Sequence, residues 1–499
     1  MLSGTKGYYS NLKDDVSLSL IQKNTGSGKE SLVAESDLRG NDSEDIFAIL
    51  NKGDYILRVK HRQDLDGNKQ ATQFELGFDT KTFKETSIVP NDPMLSRQWH
   101  LLNTGQFGGI PGSDINAVQA WKNRTDAKDV IVAIIDGGID LSHPDLDDNI
   151  WENRKEIPGN NLDDDNNEYV DDYNGWNFVA NSHIPNIDAH GTHVAGIVGA
   201  EGNNNIGVSG VAWDIQLMSL DIFDTNKKYK DEHLIEAINY AVENGADIIN
   251  MSLGYTIPYG TIDLFKRIKP DTYQLYLDTF THAINNGVTL IASAGNDDAE
   301  DDLHLSLPAA FSSELDGFIS VAAVDQSQFI TDYSNYGGEI TLAAPGGSSD
   351  SKASMMFSTL PESNQSYGGM PGTSMAAPVV AGTAALILSE NKKLKPRDIE
   401  EILTSTASKE IWLQGFVQDG NLLNVDKAIK KAKKFNPRHH GDQLTIPSEE
   451  GQAILKGSTN ADLFDFSNFI EYGDKNHDRI KNFSPKQGDS LLFLSLIHI

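Results

Sequence analysis

The stretch Gly372-Thr373-Ser374-Met375-Ala376-Ala377-Pro378, running on into Val379-Val380-Ala381-Gly382, decides how the rest of this 499-residue chain is read. It sets a serine hydroxyl in the first turn of a helix whose small and apolar residues mark it as buried. Gly372 lets the backbone come close to a ligand. A helix start carries unpaired N–H groups and the positive end of the helix dipole, a setting suited to a developing oxyanion. Alone, a serine before a helix is simply an N-cap. A reactive one needs a base to take its proton and an acid to orient that base.

The acid candidate is Asp136. It closes the run Val130-Ile131-Val132-Ala133-Ile134-Ile135, apolar throughout and rich in β-branched residues, which reads as a strand buried on both faces of a parallel sheet. Gly137-Gly138 then turns the chain. A carboxylate at the carboxyl end of a central parallel strand stands where open α/β sheets place their sites. The base candidate is His190 in His190-Gly191-Thr192-His193-Val194-Ala195-Gly196, with Asp188 before it as an N-cap. A lone Asp after a strand is more often a turn former, and a lone helical His is usually structural. The functional reading rests on all three together.

The order Asp136, His190, Ser374 is the order of subtilisin, and from about residue 91 to 434 the chain resembles the subtilisin-like serine peptidases. The resemblance implies that Ser374 attacks a scissile carbonyl, His190 moves the proton and Asp136 holds the imidazole. It also implies a fourth residue. Asn296, in Ala292-Ser293-Ala294-Gly295-Asn296, follows the buried run Val288-Thr289-Leu290-Ile291 and so lies at a strand's carboxyl end. Its amide would donate to the oxyanion beside the Ser374 N–H. Loss of such a donor costs roughly 2.7–4 kcal/mol, a figure that comes from subtilisin itself. Ser252, Leu253 and Gly254 match the strand that pairs with an extended substrate, so that main-chain hydrogen bonds supply affinity. Ala292, Ser293 and Ala294 would form the second wall of the primary pocket, with its floor near Ser306 and a preference for apolar or mid-sized residues. Without the triad, both segments would read as core strand ends.

The resemblance further implies structural Ca²⁺. Its ligands map to Asp92, to Asp145 in Ser142-His143-Pro144-Asp145-Leu146, and to Asn204 in Gly202-Asn203-Asn204-Asn205-Ile206, with loop carbonyls completing an oxygen set. A second candidate is the acidic run 163–172, where Asp163, Asp165 and Asn167 alternate as in a Ca²⁺ loop but without the sixth-position glycine or twelfth-position glutamate of an EF-hand. It lies in an insertion between Asp136 and His190, and its plain reading is a solvated acidic loop.

Composition narrows the setting. With 41 Lys and Arg against 72 Asp and Glu, the net charge is −31. That disfavours non-specific binding to nucleic acid or anionic membranes and suits calcium and an extracellular medium. The absence of cysteine removes disulfides and Cys metal sites. No run reaches the roughly 18 apolar residues of a membrane span. Met1-Leu2-Ser3-Gly4-Thr5-Lys6-Gly7 lacks the apolar core of a signal peptide, so secretion would need another route or a start that is missing. The expected partners are protein or peptide substrates, together with a propeptide or secretion machinery.

Buried strands near 130–136, 215–221, 246–252, 288–293 and 318–324 alternate with helices near 190–200, 231–244, 275–286 and 373–389. This pattern gives an α/β domain over 91–435, doubly wound around a mainly parallel sheet and flanked by small β modules. Residues 1–86, with Tyr55-Ile56-Leu57-Arg58-Val59 and Phe74-Glu75-Leu76-Gly77-Phe78, read as a small β-sandwich similar to the pre-peptidase C-terminal domain. Residues 441–499 resemble part of an RTX or serralysin-type β-roll and end on an apolar strand, as a truncated chain would. Two rivals come from other classes: a catalytically dead scaffold, disfavoured by four intact catalytic positions, and a calcium-dependent adhesion module. A kexin-like processing enzyme is a narrower alternative, suggested by the acidic loop 297–302 but without a P-domain pattern.

Overall fold

The run that ends at Asp136 forms the strand Asp126–Asp136, and its alternating side chains feed two separate cores. Val130, Val132 and Ile134 pack into one, with the helices Ala189–Gly199 and Thr373–Glu390. Ala133 and Ile135 pack into the other, with Asp231–Glu243 and Pro270–Asn285. A strand apolar on both faces is stable only between two helical layers. Each fully buried Val or Ile contributes about 1.5–3 kcal/mol. The computed structural model describes residues 88–437, apart from 302–303 and 363–365, and the backbone of several strands on either side of that range.

The central sheet has nine strands, in the order Ser408–Lys409, Asn421–Leu422, Leu342–Pro345, Phe318–Val324, Thr289–Ser293, Ile248–Met251, Asp126–Asp136, Asp214–Asp221, Gly175–Asn177. All neighbours are parallel except the edge pair Ser408–Lys409 and Asn421–Leu422. After Asp126–Asp136 the chain adds Asp214–Asp221 on one side, then crosses to Ile248–Met251 on the other. Asp136 therefore stands at the topological switch point, where such sheets open a crevice.

The expected strands and helices are present with small shifts. The helix expected near 275–286 begins earlier, at Pro270, because a proline fits the first helical position. The strand expected over 246–252 is confined to Ile248–Met251. Thr373–Glu390 is the one helix among the described residues with the length and hydropathy to cross a membrane, and most of it is buried inside the protein as the central core helix.

On the amino-terminal side, Glu30–Ser36, Val16–Lys23 and Asp54–His61 form an antiparallel sheet in that order. The strand expected at Phe74–Phe78 lies outside the described residues. On the carboxyl side, strands pair in parallel in two sets: His440–Thr445, Ala461–Asp465 and Ser490–Leu492 in one, Ile454–Lys456 and Arg479–Lys481 in the other. The boundary expected at residue 86 lies outside the described residues, and the one expected at 441 falls at the start of His440–Thr445.

Candidate active site

Asp136 and His190 are brought together by a close contact between two glycines. A Cβ on Gly191 would lie 2.2 Å from the Gly138 carbonyl oxygen, so only glycine lets the His190 helix settle on the turn after Asp136. His190 Nδ1 then sits 2.9 Å from both Asp136 carboxylate oxygens. Asp136 is 1% exposed, and its Oδ1 also accepts the Gly137 N–H at 2.7 Å. Burial alone would hold the imidazole below its ordinary value; the Asp136 carboxylate outweighs that, and the net shift is upward. Nδ1 carries the proton that Asp136 accepts, which leaves Nε2 as the acceptor.

Asp188 caps this helix, accepting the N–H groups of His190 at 2.9 Å and Gly191 at 3.3 Å. Its other oxygen pairs with Lys227, from the loop after Asp214–Asp221. Burial would raise the Asp188 carboxyl, but the Lys227 ammonium and the capping bonds lower it below the usual range. Asp221 lies beneath, fully buried, accepting the Asn186 N–H at 2.5 Å and the Ser219 hydroxyl at 3.2 Å. Burial, with Asp136 and Asp188 nearby, pushes it up to about 7. Neither Lys227 nor Asp221 carries a motif that reveals it in the sequence.

Ser374 is the second residue of Thr373–Glu390, with Gly372 at the cap. Thr373 gives both its N–H and its hydroxyl to Asn296 Oδ1, each at 2.9 Å. The Met375 N–H bonds the Gly372 carbonyl at 2.9 Å. A Cβ on Gly372 would lie 3.6 Å from the Ser374 nitrogen and 3.7 Å from Asn296 Nδ2. The Ser374 and Asn296 nitrogens thus border one small space beside Gly372. The Ser374 hydroxyl donates to the Ser252 carbonyl at 3.2 Å, so it must rotate to reach the His190 acceptor.

The proposed pocket walls flank this space. Ser252 and Leu253 are buried and Gly254 is exposed. Ser293 is 5% and Ala294 1% exposed, while Ala292 is fully enclosed in the core and offers no surface to a substrate side chain. The antiparallel strand pair Tyr255–Pro258 and His304–Leu307 extends the wall. Its floor is polar: Ser306 Oγ accepts from Asn335 at 2.7 Å and lies 3.0 Å from Thr256 Oγ1. Behind it is a cavity of about 250 Å³, bordered by Ala294, Ser306 and Asn335. It holds none of Asp136, His190 or Ser374, so it backs the pocket rather than housing the reacting atoms.

The metal candidates divide. Asp92 accepts the N–H groups of Asn203 at 2.8 Å and Asn204 at 3.1 Å. Asp145 accepts from the Asn204 side chain at 3.0 Å and the Val208 N–H at 2.8 Å. One loop therefore gathers Asp92, Asp145 and Asn204. Burial, then the nearby Asp92 and Glu201 charges, pushes Asp145 up to about 7. The second set is not gathered as its spacing suggests. Asp163 is taken by the N–H groups of Asn167 and Glu168 in its own turn, and Asn167 caps Tyr169 and donates to Asp172. Asp165 instead faces Glu156 and Asp172, with oxygens of all three within 4.8 Å of one another. Glu156 is 4% exposed, and its Oε2, like Asp165 Oδ1, has no hydrogen-bond partner among the described residues. Glu156 and Asp172 were not legible because they join Asp165 only once the loop closes.

Comparison with known proteins places the chain in a family. The family model described as the subtilase family matches residues 127–438, more than half of the chain. The chain is 35% identical to the major intracellular serine protease of Bacillus subtilis over 293 residues, 58% of this chain and 77% of that one. It is 30% identical to thermitase of Thermoactinomyces vulgaris, over 68% of this chain and 99% of that one. It is 32% identical to subtilisin-like protease 1 of Plasmodium falciparum over 69% of this chain, spanning about half of that relative, 48%. A solved protease of Pseudoalteromonas arctica superposes with a TM-score of 0.52 at 26% identity, covering 69% of this chain and 99% of that one.

Proposed function

Because this chain belongs to the subtilase family of serine peptidases, we propose that it is an endopeptidase in which Asp136, His190, Ser374 and Asn296 hydrolyse peptide bonds of extracellular proteins. The observation that carries the assignment is the His190 Nδ1 contact, 2.9 Å from both oxygens of a buried Asp136. It fixes the tautomer whose Nε2 accepts the Ser374 proton.

The substrate enters as an added strand along Ser252, Leu253 and Gly254. Ser374 turns from the Ser252 carbonyl to His190, loses its proton to Nε2 and forms the bond to the scissile carbonyl carbon. The carbonyl oxygen, now negative, takes the Ser374 N–H and Asn296 Nδ2. His190 passes its proton to the leaving amine, and Asp136 stabilises the imidazolium meanwhile. Water, deprotonated by the same imidazole, then releases the acyl group and restores Ser374. Ser293, Ala294 and the Ser306 floor shape the primary pocket.

Ca²⁺ serves stability in this reading. Asp92, Asp145 and Asn204 hold one ion. Glu156, Asp165 and Asp172 hold a second, where an unpartnered buried carboxylate oxygen fits a hard cation. The net charge of −31 supports action outside the cell; recovery of the protein from the cytosolic fraction alone would overturn that part.

Labelling with a serine-directed fluorophosphonate tests the chemistry. Wild-type protein should label at Ser374 and Ser374→Ala should not. A folded wild-type protein that never labels would sink the peptidase reading in favour of a scaffold.

A further inference from the structure

Pro378 stands in the second turn of Thr373–Glu390, four residues after the nucleophile. A helical proline has no N–H for the carbonyl four residues back, and its ring crowds that carbonyl. Here that carbonyl belongs to Ser374. It is not left bare: Ser252 Oγ donates to it at 2.7 Å. Ser252 Oγ in turn lies 2.9 Å from Asn250 Nδ2, a residue fully buried in the strand Ile248–Met251. The single Ser252 hydroxyl proton goes to Ser374, so the asparagine must be the donor to Ser252, which sets the orientation of its amide. The return contact, Ser374 Oγ to the Ser252 carbonyl at 3.2 Å, closes a two-way link between the nucleophile and the sheet.

We propose that Ser252 is a positioning residue for the nucleophile: its hydroxyl replaces the helix hydrogen bond that Pro378 removes. This rests on Ser374 being the nucleophile. The Ser252 hydroxyl touches no reacting atom. It holds the first helical turn at a set distance from the strand that carries Asn250, and so sets where Ser374 Oγ and the Ser374 N–H stand relative to His190 and Asn296. The proline makes this tether necessary, because without it the turn has no second anchor at that carbonyl. It also makes the tether replaceable, because an N–H restored at 378 would supply the missing bond from within the helix.

The test is a double-mutant cycle on the full chain, reading kcat, KM and fluorophosphonate labelling rate. Ser252→Ala should lower kcat and the labelling rate by about 10- to 100-fold with KM within about threefold, as expected when a nucleophile is displaced slightly. Adding Pro378→Ala should recover most of that loss. Ser252→Thr, which keeps the hydroxyl, should lose less of kcat and labelling rate than Ser252→Ala. If Ser252→Ala does not fold, Ser252→Cys, a weaker donor of similar size, takes its place in the same cycle. Wild-type rates in Ser252→Ala or Ser252→Cys would overturn the proposal, as would a folded double variant with no recovery. Wild-type protein that fails to label at Ser374 is a separate result, and it sinks the peptidase reading itself.

Discussion

Asn296 gives its side-chain oxygen to Thr373 and keeps its amide for the space beside Ser374. Both Thr373 donors meet Asn296 Oδ1 at 2.9 Å, so the amide orientation follows from the hydrogen bonds and Nδ2 has one direction left to face. In the proposed reaction this donor is fixed before the oxyanion forms and needs no reorganisation. Asn296→Ala should therefore lower kcat by about 10²–10³ with little change in KM. Thr373→Val removes one of the two contacts that fix Asn296, and should cost less in kcat than Asn296→Ala. Steady-state kinetics on a peptide substrate decide the matter. A loss confined to KM would mean that Asn296 binds substrate without stabilising the transition state.

In the proposed mechanism the Asp136–His190 pair sets the acid limb of the pH profile. His190 must be neutral to accept a proton, and Asp136 raises its pKa despite burial. Activity should accordingly fall on acidification at a pH above the ordinary imidazole value of about 6.5. In Asp136→Asn burial is opposed only by the Asp188 charge, which Lys227 counters, so the limb should move to lower pH while the plateau drops by about 10⁴. Stability carries the opposite sense. A raised imidazole pKa stabilises the fold below the unfolded pKa, and the gain is lost as pH rises through the folded value. The destabilisation caused by Asp136→Asn should thus be larger at pH 5 than at pH 9 in denaturant titrations. An acid limb that stays in place in Asp136→Asn would remove Asp136 from this role.

The sheet and the catalytic helices were legible because their signals are local. Six consecutive apolar residues before Asp136 specify a strand between two helical layers, and Asp188 two residues before His190 specifies a helix start. The other site features are set by closure of the chain. Lys227 reaches Asp188 from a loop 39 residues away, and the Thr373 lock on Asn296 spans 77. Asp163, Asp165 and Asn167 looked like ligands through spacing alone. Spacing cannot register that the N–H groups of 167 and 168 claim Asp163 first, or that Glu156 and Asp172 face Asp165. Ala292 misled for a related reason. A strand buried on both faces sends successive residues into one core or the other, and the sequence does not say which of them, at the strand's end, a substrate meets.

Two buried histidines predict acid sensitivity. His100 and His193 are both fully buried, and neither His100 ring nitrogen has a hydrogen-bond partner among the described residues. His193 Nε2 lies 3.1 Å from the Met356 carbonyl and 3.2 Å from that of Gly368, so the neutral ring carries its proton there. Burial pushes each down to about 3, with further lowering from His193 for His100 and from His190 for His193. A depressed imidazole pKa means that the unfolded chain binds protons the native fold refuses. Stability is full above about pH 6.5 and is lost as pH falls toward 3. By pH 5 each ring should have forfeited about 2 kcal/mol. His100→Phe keeps an aromatic ring against Trp99, now in edge contact with His100 at 6.2 Å, and should flatten this decline. An unchanged pH dependence of unfolding in a folded His100→Phe protein would contradict the burial of a neutral ring.

The two carboxylate sets should respond to calcium in a way that simple loss of a hydrogen bond cannot imitate. In each, acids are held close with little to offset their charge: Asp92 with Asp145 in one, Glu156 with Asp165 and Asp172 in the other. Without a cation, removing one charge relieves repulsion and desolvation; with a cation, the same change removes a ligand. Glu156→Gln should therefore melt no lower than wild type in chelator, yet lower than wild type in excess Ca²⁺. Asp145→Asn should invert in the same sense. An ion bound at a hundredfold excess over its Kd stabilises the native fold by about 2.7 kcal/mol, enough to separate the curves. The double variant should lose both increments, since the sets draw on different loops and share no ligand. Thermal melts in chelator and in Ca²⁺ read all four states. A variant destabilised equally in both conditions would show its carboxylate to be a structural acceptor, and wild-type protein whose melting ignores the chelator would remove calcium from both sites.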